Sequence, residues 1–465
     1  MPLFIVRHQH DKDRCPAEDP YNGASLLNHL SRPNVRKHGL TIQAEAVVRA
    51  EHTLYMIVEA GDEAVLREYM APFAFAGSLD VYLASTCAGV ISSGGCAVLP
   101  SANEVSPALD PEEACQQAID DGLVVHRAHP LNCEISIPSL IGGVVMPNSR
   151  FYVRNHFQIP KLALANWELA VSGMVERPLK LSWRDLTKLP SQAKVVTLEC
   201  AGNGRSTLEP RVPGEQWNLG AVSTAEWTGV PLVEVLDRAG ICGDGRYIVF
   251  RGADSGTIEE RPGTIAFERS LSLEEAYGSG ALLAYAMNGD PLPLEHGFPL
   301  RLIVPSWYAV ASVKWLTNIE VVAEPFDGHY QTGAYYFEWQ CGDQTAREPL
   351  TLQRVRSLIT DPAPDAEVAP GELAIRGVAW SGAAPIAGVD VQLNGGGWHG
   401  ARMLGEGQRH SWQRWEFIAK VDGPGTVVIR ARASDTAGQT QPETPEWNRL
   451  GYCNNAIQKI RVEVR

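Results

Sequence analysis

The sequence predicts an α+β protein built from several domains. Its 465 residues exceed what one hydrophobic core ordinarily organises. A β-α-β-β-α-β succession of hydrophobic patterns fills residues 1–97, whereas residues 351–465 alternate at period two without helix signals. Between them, short strands are interspersed with Gly- and Pro-rich turns and few long helices. The patterns of these three regions favour an α+β class over a doubly wound parallel sheet.

Composition narrows the class of protein. Hydrophobic residues make up 45% and charged residues 20% of the chain, which is typical of a globular protein. The formal net charge of -14 argues against nucleic-acid binding, because phosphate backbones require a basic surface. No apolar run approaches the ~18 residues of a membrane span, and no leader pattern opens the chain, so we expect a cytoplasmic protein without membrane contact. The cysteines are scattered and form no CxxC pair, so we expect free thiols.

The first unit, residues 1–97, has the element order of a ferredoxin-like domain. PLFIVRH, TIQAEAVV and HTLYMIVEA are strand patterns, and DEAVLREYMAPFA has helical spacing. Residues 98–125 contain prolines and an acidic run, and we interpret them as a linker with one short helix. His8, His10 and Cys15 fit no standard metal-site spacing, so ordinary polar positions are the favoured interpretation there.

The remaining chain divides at about residue 350. Residues 126–350 contain the clear strands KVVTLEC, RYIVFRG and PLRLIVP, and a short helix, PLVEVLDRAG, whose Gly240 suits a C-cap. Residues 351–465 contain ELAIRGVAW, GVDVQLNGGGW, QRWEFIAKV and TVVIRARASD, each alternating at period two. Turn signals separate these strands, which predicts an immunoglobulin-like β-sandwich.

One cysteine, Cys200, is placed as a ligand or a nucleophile would be. In VVTLECAGNGR a β-branched strand leads directly to Cys200, and Gly202 and Gly204 then remove side-chain bulk, so that a ligand can lie against the backbone. A thiolate is a soft metal ligand, and Arg205 adds a planar cation suited to an oxyanion. A buried structural cysteine is the alternative, but the polar groups crowded into the loop disfavour it.

Two further segments concentrate groups that suit anions. In FYVRNHFQIP, Arg154 and His156 would share one face of a strand, because side chains alternate at period two. Cationic groups and a hydroxyl occur among apolar residues in LEHGFPLRLIVPSWYAVASVKW. This pattern favours a pocket for phosphate or pyrophosphate over unrelated charges exposed to solvent. The groups in this segment are His296, Arg301, Ser312 and Lys314.

Together these segments resemble the sulfite oxidase family of molybdenum enzymes across residues 126–465. FYVRNH, TLECAGNGR, WNLGAVSTAEWTGVPL, LLAYAMNGDPLPLEHGFPLRLIVP, SVKWL and WNRLGYCNNA occur in the family's order. The resemblance implies a molybdopterin-binding catalytic domain at 126–350. It also implies that the immunoglobulin-like domain at 351–465 forms a homodimer.

The resemblance also implies roles for single residues. Cys200 would bind molybdenum through its thiolate. Arg154 and Arg205 would bind the oxyanion substrate, and Trp217 would line the substrate pocket. The residues implied to hold molybdopterin and its phosphate are Arg154, His156, Cys200, Gly202, Asn203, Arg205, His296, Arg301, Ser312 and Lys314.

Two departures from the family bear on the substrate. Phe267 is the nearest counterpart of a tyrosine that the family places near the metal, so we expect a hydroxyl donor to be missing. Pro385 stands near the place where the dimerisation domain usually presents an arginine. The loss of that cation weakens the case for sulfite and strengthens the case for a sulfane or an organic S-oxide.

The expected function is molybdenum-dependent oxygen-atom transfer to or from a sulfur oxyanion, with sulfite to sulfate as the first candidate. The chain has no CxxCH haem motif, so electrons would pass to an external carrier such as a cytochrome or oxygen. A thiol enzyme is a rival, with Cys200 as nucleophile and His156 or His296 as base. A non-catalytic descendant that binds anions in the same pocket is another.

Overall fold

The chain forms two compact units, Met1–Cys96 and Ala97–Arg465. The computed structural model describes residues 3–10, 15, 25–26, 28–48, 51–61, 63–74, 77–84, 110–341 and 344–465. Within these ranges, no helix combines the length and the apolar character needed to cross a membrane.

In the described part of the first unit, helices lie in the connections of an antiparallel sheet with the order β2-β3-β1-β4. Its core contains Phe4, Val6, Met56 and Met70. The predicted β-α-β-β-α-β order is confirmed for the described residues, whereas residues 85–97 of the predicted domain lie outside them. The elements are β1 (Leu3–Gln9), α1 (Arg32–Lys37), β2 (Thr41–Val48), β3 (Thr53–Glu59), α2 (Glu63–Ala74) and β4 (Ser78–Ala84).

The second unit begins its described part inside the predicted linker. Asp110 caps helix α3 (Pro111–Asp120), because its carboxylate accepts hydrogen bonds from two backbone N–H groups of the first turn. Ala118 of α3 packs into a core shared with Leu123 and Leu131. From residue 110 onward, the predicted linker therefore belongs to the packed second unit.

Short strands and three small helices build residues 123–322. The strands form a sheet in the order β14-β13-β10-β9 with β15 beside β13, a sheet in the order β12-β11-β16-β7-β8, and a β5-β6 pair. Gly240 caps the second of these helices with a φ of 68°, which confirms the predicted C-cap. The elements are β5 (Leu123–Arg127), β6 (Asn132–Ile135), β7 (Glu168–Gly173), β8 (Leu179–Ser182), α4 (Trp183–Leu186), β9 (Gln192–Glu199), β10 (Val222–Pro231), α5 (Leu232–Ala239), β11 (Tyr247–Ile258), β12 (Arg261–Ser272), α6 (Leu273–Gly278), β13 (Leu282–Met287), β14 (Asp290–Pro291), β15 (Arg301–Ile303) and β16 (Leu316–Val322).

After a β17-β18 hairpin, two sheets in the orders β19-β21-β25-β24 and β20-β27-β26-β22-β23 share one core. Trp415 lies at its centre, and a Cβ at Gly377 would stand 2.3 Å from that indole, so only glycine leaves room for the ring. The strands are β17 (Tyr336–Cys341), β18 (Gln344–Pro349), β19 (Arg356–Asp361), β20 (Ala366–Val368), β21 (Gly371–Trp380), β22 (Ile386–Leu393), β23 (Trp398–Gly400), β24 (Arg402–Leu404), β25 (Gln413–Val421), β26 (Gly425–Asp435) and β27 (Gln458–Val464).

A buried ion pair joins this C-terminal part to the end of strand β9. Arg356 Nη1 lies 2.8 Å from Glu199 Oε1, and both side chains are 2% exposed. The second carboxylate oxygen of Glu199 accepts a hydrogen bond from Trp380 Nε1 at 2.9 Å. Two residues of the C-terminal strands therefore fix the residue that directly precedes Cys200.

We expect Arg356→Met to lower the free energy of unfolding by about 3–5 kcal/mol, because it leaves the Glu199 carboxylate buried without its cation. Lys180→Met removes an ion pair with Glu168 whose side chains are 77% and 46% exposed, so it should cost less than about 1 kcal/mol. Urea unfolding followed by tryptophan fluorescence measures both. An equal decrease in the free energy of unfolding in the two variants would show that the buried ion pair contributes no more to stability than the exposed one.

Candidate active site

Cys200 stands where the antiparallel ladder of β9 and β10 stops. Glu199 pairs with Val222, and the Cys200 N–H then donates to the Ala221 carbonyl at 2.9 Å. The β-branched residues of β9 favour the extended conformation that leads to this point. The chain turns at once, since the Asn203 N–H donates back to the Cys200 carbonyl at 2.9 Å. The thiol is thus held in place and is only 5% exposed.

A cavity opens beside this thiol. It collects side chains from all three segments that the sequence singled out. The predicted residues that line it are Arg154, His156, Cys200, Phe267, His296, Arg301, Ser312 and Lys314.

Arg154 and His156 reach the cavity from an irregular segment. Val153 forms an isolated bridge with Cys133, and the residues after it are not in a strand. The prediction of a strand was therefore wrong, although both side chains do face the same cavity. Arg154 donates to the Asn155 carbonyl and, at 3.4 Å, to Asn132 Oδ1.

The sequence missed Tyr335, which supplies a hydroxyl to the cavity. Its oxygen lies 2.7 Å from His156 Nε2, and its side chain is 5% exposed. The expectation that Phe267 leaves the cavity without a phenol is therefore wrong. Phe267 instead stacks on the His156 ring at 4.8 Å between centroids. The only local signal for Tyr335 is its place in a Tyr-Tyr-Phe run, because its φ of 57° and its packing depend on the fold.

The segment around Arg301 contributes cationic side chains to the cavity lining. Arg301 donates to the carbonyls of His296 and Ser312 at 2.9 and 3.1 Å, and its guanidinium lies 4.8 Å from the ring centre of Trp227. Lys314 donates to the Asn155 side chain and to the Glu295 carbonyl. These bonds fix the direction of the cations before a ligand arrives.

These groups fit a multiply charged anion such as the phosphate of molybdopterin. His296 Nε2 and Arg301 Nε are buried and have no hydrogen-bond partner among the described residues. Burial, followed by the neighbouring Arg301, holds the pKa of Lys314 well below its ordinary value, and burial lowers the pKa of Arg301 to about 10. Burial also raises the pKa of Asp254 in the same cavity to about 7, which weakens it as a counter-charge. An anion would therefore relieve the cost of gathering these cations.

The thiol environment disfavours a cysteine nucleophile. Burial raises the pKa of Cys200 above its ordinary value, although Arg154 and the Gly202 N–H oppose this shift. Burial, followed by Arg154, holds the pKa of His156 well below its ordinary value. Nucleophilic cysteines need a lowered pKa or a partner base. A bound metal ion meets the same need, since metal coordination deprotonates a thiol.

Arg205 does not line the cavity, contrary to its predicted contact with substrate and cofactor. Its Nε donates to the Leu450 carbonyl at 3.1 Å, and Nη1 donates to the Glu215 carbonyl at 2.8 Å. The guanidinium lies 4.9 Å from the ring centre of Tyr452, which stacks on Tyr335 at 4.8 Å. Arg205 therefore lies behind the tyrosine pair, because these bonds turn it toward residues 450–452.

Two other predicted residues also lie away from the cavity lining. The Asn203 amide donates to Glu199 Oε1 at 3.0 Å, and its Oδ1 accepts from the Ala221 N–H at 3.2 Å, so Asn203 braces the loop from within. Trp217 is fully buried and packs edge-on against His126, 5.0 Å between ring centroids. Its role as a pocket wall is therefore not supported, because its ring packs away from the cavity.

Gly202 makes room for an arginine, not for a ligand on the backbone, and it too lies outside the lining. A Cβ at Gly202 would stand 2.7 Å from Arg205 Nη1, and one at Gly214 would stand 3.0 Å from the same atom. Gly202 and Gly214 therefore leave room for Arg205, whereas a Cβ at Gly204 would stand 2.8 Å from Arg356 Nη2.

We expect Gly202→Ala to lower the free energy of unfolding by about 1–3 kcal/mol, because the new methyl group pushes the Arg205 guanidinium off its two carbonyl acceptors. Gly278→Ala is the matched control, since a Cβ there meets nothing within 4 Å. It should change the stability by less than about 1 kcal/mol. Denaturant unfolding of both variants measures the difference, and an unchanged Gly202→Ala protein would refute the packing argument.

Comparisons with known proteins agree with this site. A family profile for the oxidoreductase molybdopterin binding domain matches residues 156–330, and one for the Mo-co oxidoreductase dimerisation domain matches residues 349–465. Sulfite oxidase from Gallus gallus is 34% identical over 356 residues, which cover 72% of this chain and 76% of the relative. Sulfite oxidase from Arabidopsis thaliana is 32% identical over 372 residues, which cover 74% of this chain and 94% of the relative.

The mitochondrial sulfite oxidase of Macaca fascicularis is 36% identical over 363 residues, and the match spans 66% of its length, just under two thirds. Among solved structures, the sulfane dehydrogenase SoxCD from Paracoccus pantotrophus superimposes with a TM-score of 0.63 at 28% identity. That match covers 71% of this chain and 84% of the SoxCD chain. On these matches, the chain belongs to the sulfite oxidase family of molybdopterin oxidoreductases.

Proposed function

We propose that this protein is a molybdenum-dependent oxidoreductase that transfers an oxygen atom to or from a sulfur oxyanion, with sulfite to sulfate as the leading reaction. The observation that carries the proposal is the placement of Cys200 and Arg154 on one cavity that Arg301 and Lys314 also line. A soft thiolate ligand and an anion-binding guanidinium are the two groups that such a reaction needs together.

Residues that line the cavity would hold the cofactor through its metal and through its phosphate. Cys200 would bind molybdenum, while Arg301, His296, Ser312 and Lys314 would hold the pterin and its phosphate. When bound, the cofactor supplies a two-electron redox change coupled to oxygen-atom transfer. The protein supplies the positioned thiolate and a set of cations that is already oriented.

The side chains around the thiol suit an anionic substrate. Arg154 would bind and orient the oxyanion through its planar guanidinium. The Tyr335 hydroxyl and His156 Nε2 are joined by a 2.7 Å hydrogen bond, which places this polar pair at the cavity wall. Because Cys200 and Tyr335 are each 5% exposed, little water reaches this wall, and the interaction of Arg154 with a bound anion is strengthened.

A sulfane or organic S-oxide substrate is the alternative, and one observation favours it. All the cavity-lining residues precede residue 351, so the C-terminal sheets contribute no cation to the lining described here. The carbonyl of Pro385 accepts a hydrogen bond from the Thr436 N–H within those sheets. A substrate of lower charge would suit a cavity with one cation fewer, and the structural neighbour is a sulfane dehydrogenase.

The wider organisation is part of the same proposal. Residues 1–97 would be a ferredoxin-like domain, 98–125 its connection, 126–350 the catalytic domain and 351–465 an immunoglobulin-like domain that forms a homodimer. A light-scattering mass equal to one 50.7 kDa chain would contradict the homodimer. Electrons would pass to or from an external carrier such as a cytochrome or oxygen. A cytoplasmic location stays a prediction.

We expect Cys200→Ser to abolish sulfite-dependent reduction of an artificial electron acceptor while the fold is retained, because a hydroxyl is a far poorer soft-metal ligand than a thiolate. Cys242→Ser is the control, since Cys242 is partly exposed and does not line the cavity. The proteins are made in a host that synthesises the cofactor, and molybdenum per chain and the absorption spectrum are measured before and after addition of sulfite.

The outcomes of this experiment separate the candidates. Wild-type protein with molybdenum and a sulfite-dependent spectral change supports the sulfite reaction. Molybdenum without that change, together with turnover of a sulfane, supports the alternative substrate. Protein that acquires no molybdenum supports an anion-binding descendant. Full activity and full molybdenum in Cys200→Ser would overturn the proposal.

We expect Arg154→Gln to raise the KM for sulfite about ten- to a hundredfold, the equivalent of one hydrogen bond to a charged group. Because this bond acts on the bound anion, kcat should fall less than KM rises. Arg150→Gln, four residues away and exposed, is the matched control and should leave both constants unchanged. Steady-state kinetics at several sulfite concentrations decides, and an unchanged KM would remove Arg154 from substrate binding.

A further inference from the structure

Two histidines meet at one end of the first unit's sheet. His10 directly follows β1 and His52 directly precedes β3, where Gln9 and Thr53 form the last pair of the ladder. The His10 N–H donates to the His52 carbonyl at 3.2 Å. Their rings lie 5.5 Å apart between centroids, in an edge-to-face arrangement. The antiparallel pairing of β1 and β3 therefore fixes both imidazoles at the same corner of the sheet.

The thiol of Cys15 lies close to these two imidazoles. The Sγ of Cys15 and one ring nitrogen of each histidine all lie within 4.8 Å of one another, and all three residues are half-buried. In a tetrahedral zinc site with Zn–N near 2.0 Å and Zn–S near 2.3 Å, ligand atoms stand roughly 3.3–3.6 Å apart. The three groups are thus within a small side-chain movement of the spacing that a metal ion requires.

A third imidazole, that of His8, lies beside this cluster. His8 precedes His10 by two positions on the same strand, and their rings are 5.4 Å apart. His8 is only 2% exposed, and its Nε2 has no hydrogen-bond partner among the described residues. A buried ring nitrogen without a partner is costly unless something accepts or donates there. A nearby cation would give this nitrogen a ligand role or a polar neighbour.

We propose that His10, Cys15 and His52 bind a divalent transition-metal ion of the zinc class, at a site separate from the cavity beside Cys200. Two imidazoles and one thiolate are a donor set that selects Zn²⁺ and its neighbours over Mg²⁺ or Ca²⁺. Binding replaces the thiol proton with the metal, so one proton is released from Cys15. The proposal is independent of the molybdenum reaction, because every ligand comes from residues 10–52.

Titration of the full-length, molybdenum-loaded protein with Co²⁺ tests the site, since Co²⁺ reports thiolate ligation through a near-ultraviolet charge-transfer band. We expect the wild-type protein to bind one Co²⁺ with this band and to release the ion when Zn²⁺ is added. Cys15→Ser should lose the band, and His52→Gln should weaken binding about tenfold or more. Because the ion binds the folded state, added Zn²⁺ should raise the thermal unfolding midpoint of the wild-type first unit.

Two matched variants keep the test specific. Cys115→Ser removes a partly exposed thiol of the second unit, and His38→Gln removes an exposed imidazole of the first unit. Both should titrate as the wild-type protein does. Absence of the thiolate band in the wild-type protein, or an unchanged band in Cys15→Ser, would overturn the proposal. Circular dichroism of Cys15→Ser, unchanged from that of the wild type, assigns the loss of the band to the missing ligand.

Discussion

The buried ion pair between Glu199 and Arg356 is the interaction on which the catalytic loop depends. Two charges removed from water are stable only when they neutralise each other and their remaining hydrogen-bonding groups find partners. Here Trp380 and Asn203 occupy the other bonding positions of the Glu199 carboxylate. The residue before Cys200 is therefore fixed by a strand that lies 157 residues further along the chain.

A second constraint follows from the cavity itself. Arg154, Arg301 and Lys314 line one space, and burial raises the pKa of the nearby Asp254 and Glu295 carboxyl groups, which disfavours their charged forms. Such an arrangement is costly in the free protein and favourable once an anion is bound. The protein thus orients its cations during folding, and the binding of an anionic group recovers the energetic cost.

The two units assemble ligand groups in different ways. In the second unit, Arg205 packs on Tyr452, and Tyr452 stacks on Tyr335 in the cavity wall. Distant parts of the chain must therefore fold before the site exists. In the first unit, the antiparallel register of β1 and β3 places His10 beside His52. The first arrangement requires the whole second unit, whereas the second depends on one antiparallel pair and on the nearby Cys15.

Much of this protein follows from local sequence. The β-branched run before Cys200 determines a strand that ends at the thiol, Gly240 determines a helix C-cap, and period-two alternation determines the C-terminal strands, because each depends on neighbouring residues alone. The cationic residues of the cavity were also predictable, since several separated motifs identify the family. Tertiary structure alone decided that Arg205 turns away from the cavity, that Tyr335 supplies its phenol and that His52 joins His10. These placements depend on residues far apart in the chain, and no local pattern encodes such packing.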